Sequence, residues 1–158
     1  AITFLLTMTG TPQIYYGTEL LMHGNKQRSD GDIRLDVPGG WPGDKENHFR
    51  REGRDKLQNE AFDFLKNLLH WRKGNEVIAR GEMKHFVPQN SVYVYERFLD
   101  NKNVIIFMNG SDGETEIDLS RYAESLKGKS SGHDIVSGRN ITLNSTLKMK
   151  SREIIILE

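Results

Sequence analysis

The chain has 158 residues, with 22 Lys and Arg balanced by 22 Asp and Glu, which excludes a basic nucleic-acid footprint and a polybasic membrane arm. Its hydrophobic fraction of 36%, including 7 Phe, 5 Tyr and 2 Trp, is enough for a packed core, so a disordered chain is excluded as well. The absence of cysteine removes disulfide frameworks, thiolate metal sites and cysteine nucleophiles.

In chain order, Ala1 to Met8 has no basic flank and no cleavage site, and it is too short to cross a membrane. It reads as the end of a buried helix, closed by Gly10 with Pro12 just beyond, and the chain is expected to be a fragment of something longer. Gln13-Ile14-Tyr15-Tyr16, stopped by Gly17, predicts one buried strand. From Gly17 to Arg54 no period is sustained, and a loop of that length is expected to be functional. Leu57, Ala61, Phe64, Leu65, Leu68, Leu69 and Trp71 then mark an amphipathic helix. Asp55 and Gln58 form a capping-box pattern at its start, and Arg72-Lys73-Gly74 marks its end.

From Ile78 the period changes to short strands: Met83 to Val87, Ser91 to Leu99, Val104 to Asn109, Thr115 to Leu119, His133 to Val136, Asn140 to Leu143, Thr146 to Met149 and Glu153 to Leu157. Turn chemistry separates them, and Arg121 to Leu126 reads as one helical turn. This spacing predicts an antiparallel sandwich. Tyr93 and Tyr95 alternate with Val92 and Val94, giving that strand one aromatic and one aliphatic face.

The long loop carries Asp30, Asp32, Asp36, Asp44 and Glu46, and paired carboxylates are the usual apparatus of glycoside hydrolysis. Asp44 and Glu46 read more simply as turn formers. His23, His48, His70, His85 and His133 lack metal-ligand spacing, so no metal and no cofactor is expected. Trp41, set among prolines and glycines, either stacks on the apolar face of a ligand or pins the loop to the body. Arg50, Arg51 and Arg54 read as a solvated face.

Thr11-Pro12-Gln13-Ile14-Tyr15-Tyr16-Gly17-Thr18-Glu19 resembles the eighth barrel strand of the alpha-amylase family of glycoside hydrolases. Asp30-Gly31-Asp32-Ile33-Arg34 is similar to the Asp-Pro-x-x-Arg segment of its cyclomaltodextrinase and neopullulanase branch, with Gly31 in place of Pro. The Pro38-Gly39-Gly40-Trp41-Pro42-Gly43 loop resembles that of bacterial members, Ala61 through Lys73 the eighth barrel helix, and Gly81 to Tyr95 the opening strands of the C-terminal sandwich.

The resemblance implies a mixed fold. The last β/α unit of a (β/α)8 barrel would occupy residues 1–76, and an all-β antiparallel Greek-key sandwich residues 77–158. It implies a retaining enzyme acting on α-1,4-glucosidic bonds of maltodextrins, cyclodextrins or pullulan, with catalytic carboxylates that precede this segment and none in this chain. Asp30, Arg34, Trp41 and Tyr16 are the substrate-binding residues implied, with an α-glucan oligosaccharide as partner and neither nucleic acid nor membrane. A carbohydrate-binding accessory module is the second reading, and would require Tyr93 and Tyr95 as an exposed platform. A purely structural sandwich is the third. Exposed barrel-facing surface would lead to self-association. Periplasm and cytoplasm stay equally open.

Overall fold

The computed structural model describes residues 1–158. No helix is long and apolar enough to cross a membrane. The chain divides into two compact units, Ala1–Thr11 together with Leu68–Glu158, and Pro12–Asn67. The division falls inside the long helix.

The first unit is built on a four-stranded antiparallel sheet in the order β1-β2-β3-β8, from β1 (Glu82–His85), β2 (Val92–Leu99), β3 (Lys102–Asn109) and β8 (Ile154–Leu157). Pairing of Leu99 with Lys102 leaves a two-residue turn, with Asp100 at a φ of 54°. Asp tolerates that left-handed conformation better than a branched residue. Two short ribbons complete the β-structure: β4 (Thr115–Asp118) with β7 (Thr146–Met149), and β5 (Ser131–His133) with β6 (Asn140–Thr142).

Strand alternation distributes the sheet's side chains between two layers. Val92, Val94, Ile105, Phe107, Ile155 and Leu157 meet Ile117, Leu147 and Met149 from the β4–β7 ribbon, together with Leu119, Tyr122 and Leu126. This is the sandwich core. Phe107 is fully buried, and its ring meets Tyr122 edge-on at 5.9 Å. The expected helical turn is a 3-10 turn, Leu119–Tyr122, running into α4 (Ala123–Leu126).

The opposite face of the sheet carries α1 (Ile2–Thr7), with α3 (Glu76–Arg80) packed on β2 and β3. The α1 helix is partly buried as expected, with Thr3, Leu6 and Thr7 inside and Phe4 and Leu5 exposed. Asn75 caps α3 by accepting a hydrogen bond from the Ile78 amide at 3.1 Å. The sequence reading passed over this helix. The Asn75-Glu76 pair was its signal, an N-cap residue followed by an acid.

One strand ends earlier than expected. In place of a strand over His133 to Val136, β5 stops at His133, because the buried Asp134 carboxylate accepts from the amides of Val136 (3.1 Å), Ser137 (3.1 Å) and Ile156 (3.0 Å). Local side-chain acceptors of this kind replace ladder bonds with a turn.

The second unit, Pro12–Asn67, holds three 3-10 turns, Thr18–Leu20, Gly31–Ile33 and Arg51–Gly53, and the first part of α2 (Lys56–Gly74). The capping box is present: Gln58 N donates to Asp55 Oδ1 at 2.8 Å and Asp55 N to Gln58 Oε1 at 3.0 Å. The buried strand expected at Gln13 to Tyr16 is overturned. The segment is extended but unpaired, with Tyr15 56% and Tyr16 46% exposed. A strand needs a neighbour for its amides and carbonyls, and no other strand of this chain lies beside it.

Candidate functional site

All four candidate residues, Tyr16, Asp30, Arg34 and Trp41, lie in the Pro12–Asn67 unit. Gly17, at a φ of 81°, turns the chain so that its carbonyl accepts from both Leu20 N (3.1 Å) and Met22 N (2.9 Å). This turn leaves Tyr15 and Tyr16 side by side, their ring centroids 4.7 Å apart. The Tyr16 hydroxyl donates to the Leu35 carbonyl at 3.2 Å, closing a recess of about 150 Å³ lined by Tyr15, Tyr16, Met22, His23, Asp32 and Leu35. Partial desolvation raises the Tyr16 pKa, Tyr15 and Asp36 add to the rise, and Arg34 opposes it. Tyr16 and Arg34 are thus brought within electrostatic reach of one another, with Asp36 as the third charge.

Asp30 and Arg34 flank the 3-10 turn Gly31–Ile33, both exposed, and the Asp30 side chain does not cap it. Asp32 organises this segment instead. Its carboxylate accepts from Asn25 N at 2.6 Å and pairs with Arg28 at 3.4 Å, while its own amide donates to Ser29 Oγ at 3.1 Å. Gly24 is required here, because a Cβ would lie 1.9 Å from the Asp32 carbonyl oxygen where the chain crosses itself. Neither Asp30 nor Trp41 lines the Tyr16 recess. Trp41 is 64% exposed, its ring in solvent rather than pinned down.

The three arginines before α2 do not form the uniform solvated face expected. Arg51 pairs with Asp63 at 2.8 Å, which lowers the Asp63 pKa and raises its own. Arg54 lies over the Phe62 ring, 3.8 Å from its centroid, with Nε and Nη1 buried and unbonded. The alternation that signals α2 also places Phe62 and Asp63 to receive these cations, but it does not identify which arginine each one takes.

The exposed aromatic platform required by the accessory-module reading is also overturned. Tyr95 is fully buried and bonds the Thr7 hydroxyl, while Phe4 packs 6.3 Å from Tyr93 and 6.1 Å from Tyr95. Burial pushes the Tyr95 pKa up to about 12, although the Thr7 bond opposes the rise. Beside it Arg97, 2% exposed, donates to the carbonyls of Thr7 (2.8 Å), Gly81 (2.7 Å) and Glu82 (3.2 Å). Arg72 reaches the carbonyls of Leu6 and Gly10. Desolvation lowers the pKa of both arginines. Strand alternation placed Arg97 on the same face as Tyr93 and Tyr95, but no sequence signal marked it as buried.

Residues 83–158 match the family described as "Cyclo-malto-dextrinase C-terminal domain". A cyclomaltodextrin glucanotransferase from Niallia circulans is 30% identical over 155 residues, covering 93% of this chain and 19% of that protein. An alpha-amylase from the same organism is 27% identical over 153 residues, covering 92% of this chain and 26% of that one. The chain therefore spans about a fifth to a quarter of the length of these relatives. Among solved structures, the alpha-amylase from Geobacillus thermoleovorans complexed with acarbose is 21% identical with a TM-score of 0.73, over 99% of this chain and 31% of that one. AmyP in complex with maltose is 16% identical with a TM-score of 0.74, over 99% and 33%. At those identities the structures speak to the fold, and the fold agrees with the sequence matches: residues 83–158 are a C-terminal domain of the cyclo-malto-dextrinase type, as found in the alpha-amylase and cyclomaltodextrin glucanotransferase family.

Proposed function

We propose that the chain is part of a retaining glycoside hydrolase of the cyclomaltodextrinase or neopullulanase type, acting on α-1,4-glucosidic bonds of maltodextrins, cyclodextrins or pullulan. In this reading residues 1–76 belong to the closing portion of a catalytic (β/α)8 barrel and residues 77–158 form a Greek-key sandwich. The nucleophile and the acid/base are not among the carboxylates of this chain, whose contribution is a wall of the sugar subsites.

The observation that carries the reading is the Tyr16 hydroxyl bonded to Leu35 at a solvent-facing recess, with Arg34 and Asp36, on either side of Leu35 in the chain, close enough to act on that hydroxyl electrostatically. A guanidinium fork donates to two adjacent oxygens and a carboxylate accepts from two adjacent hydroxyls, which matches the vicinal hydroxyls of glucose. Asp30, exposed and not engaged in capping its turn, keeps its acceptors free for the same purpose. Trp41 supplies an apolar face for a pyranose ring. Relatives named cyclomaltodextrin glucanotransferase and structural neighbours holding maltose and acarbose support an α-glucan as the ligand class.

Isothermal titration of the chain with maltotriose and with a cyclodextrin, beside a hydrolysis assay on the same sugars, tests this. Binding weakened by Arg34→Ala, without turnover, is the expected result. Turnover by the chain alone would place catalytic acids within it and overturn the assignment. Self-association belongs to the same proposal: Leu57 (63% exposed), Phe64 (38%) and Leu69 (37%) line α2 without cover. Sedimentation velocity should show concentration-dependent dimers, and a monomer at all concentrations would refute this.

A further inference from the structure

We propose that residues 37–53 form a preformed stacking platform, on which Trp41 and Phe49 together receive pyranose rings of an α-glucan chain. Phe49 was not among the residues singled out by sequence. At 66% and 64% exposure, Phe49 and Trp41 are the most exposed aromatic side chains of the molecule. They share one loop, and the Phe49 ring reaches the residue before Trp41: a Cβ built on Gly40 would touch Phe49 Cε2 at 3.8 Å.

The loop that presents them is held by its own polar groups. Asp44 Oδ2 accepts from Gly39 N at 2.7 Å and Trp41 N at 3.1 Å, and Asp44 N donates back to the Trp41 carbonyl at 3.2 Å. His48 N donates to the Pro38 carbonyl at 2.9 Å, tying the two arms together, and Phe49 N donates to Asn47 Oδ1 at 3.1 Å. Gly39, at a φ of 99°, lies so close to Asn47 that a Cβ would fall 2.6 Å from it. Asp44 thus acts through the backbone it fixes, as a positioning residue.

A rigid loop that turns its hydrogen-bonding groups inward and two aromatic rings outward inverts the usual sorting of polar and apolar groups. Holding the rings in place beforehand lowers the ordering cost of binding. A pyranose suits such a surface because one face is a sheet of C–H groups and its edge a ring of hydroxyls. Lys45, exposed in the same loop, supplies a charged donor suited to the hydroxyl edge.

The inference rests on the α-glucan reading above and is tested separately from it. The chain has two tryptophans, so Trp71→Phe leaves Trp41 as the sole indole reporter. Maltoheptaose should shift its emission saturably, while cellohexaose, the β-linked counterpart, should not. Phe49→Ala should weaken maltoheptaose binding roughly three- to tenfold, the range expected for loss of one aromatic contact, and Phe49→Tyr should retain it. Calorimetric binding that falls with Arg34→Ala, but leaves Trp41 emission and the Phe49→Ala affinity unchanged, would overturn the platform and keep the α-glucan site. Absence of any sugar binding would overturn both. Should Trp71→Phe not fold, the difference between the wild-type chain and Trp41→Phe provides the same signal.

Discussion

The two units of this chain are stabilised by different means. Of the buried apolar side chains only Leu20 and Leu65 belong to Pro12–Asn67, while the rest lie in the unit formed by Ala1–Thr11 and Leu68–Glu158. The β-rich unit is a close-packed core with strand ladders around it. The other is held by carboxylate-to-amide bonds at Asp32 and Asp44 and by a capping box, with Tyr15, Tyr16, Leu21, Ile33, Leu35, Trp41, Phe49, Leu57 and Phe64 directed to solvent. Hydrogen bonds in turns fix local geometry but contribute little net stability, whereas apolar burial contributes in proportion to area. The contrast therefore separates a part that accounts for the stability of the fold from a part that carries the proposed binding surface.

The sharpest way to break that comparison is to truncate each part. Phe107→Ala, at the centre of the sandwich core, should cost about 3–5 kcal/mol and remove the cooperative urea transition. Leu57→Ala, at 63% exposure, should stay within about 0.5 kcal/mol. Equal losses from the two would show that Pro12–Asn67 is as dependent on packing as the β-rich unit.

Arg97→Met comes next. It leaves the carbonyls of Thr7, Gly81 and Glu82 without their donor, and each buried acceptor so orphaned carries a penalty. A loss of about 3 kcal/mol by urea denaturation is expected, most of it recovered by no isosteric apolar residue. A neutral outcome would mean that water satisfies those carbonyls and that α1 is held by packing alone.

The smallest effect concerns pH. The Tyr95 pKa in the folded chain, about 12, stands above its ordinary value of 10.0, so the folded state favours the protonated phenol. The stability this confers is complete below pH 10 and is lost as pH rises towards 12. The wild-type unfolding free energy should fall across that window, and Tyr95→Phe should flatten the fall while costing about 1 kcal/mol at neutral pH for the lost Thr7 bond. An unchanged slope in Tyr95→Phe would assign the alkaline loss to other groups.

Much of the β-rich unit could be read directly. The runs Ser91 to Leu99 and Val104 to Asn109, with turn residues from Asp100 to Asn103 between them, correspond to β2 and β3 within two residues, and Thr146 to Met149 coincides with β7. The helix was legible for a similar reason, because a three-and-four spacing between an Asp55–Gln58 cap and Gly74 admits few other conformations. Of the candidate site, Tyr16 and Arg34 were picked out through their motifs and lie within electrostatic reach of one another, whereas Phe49 carries no motif and emerges only from its exposure beside Gly40.

What the sequence by itself determined is therefore whatever depends on near neighbours: periodicity, caps, turns and the family motifs. Only the tertiary structure decided that Gln13 to Tyr16 is unpaired, that Arg97 is buried against three carbonyls, that Tyr95 lies under α1, and that Asp44 clamps the Trp41 loop. Each of these turns on a partner, present or absent, that local periodicity does not name. For Arg97 and Tyr95 that partner lies about ninety residues away in the chain. A residue type announces which bonds it can make, but only the packed fold determines which of those bonds are made and which faces are left for a ligand.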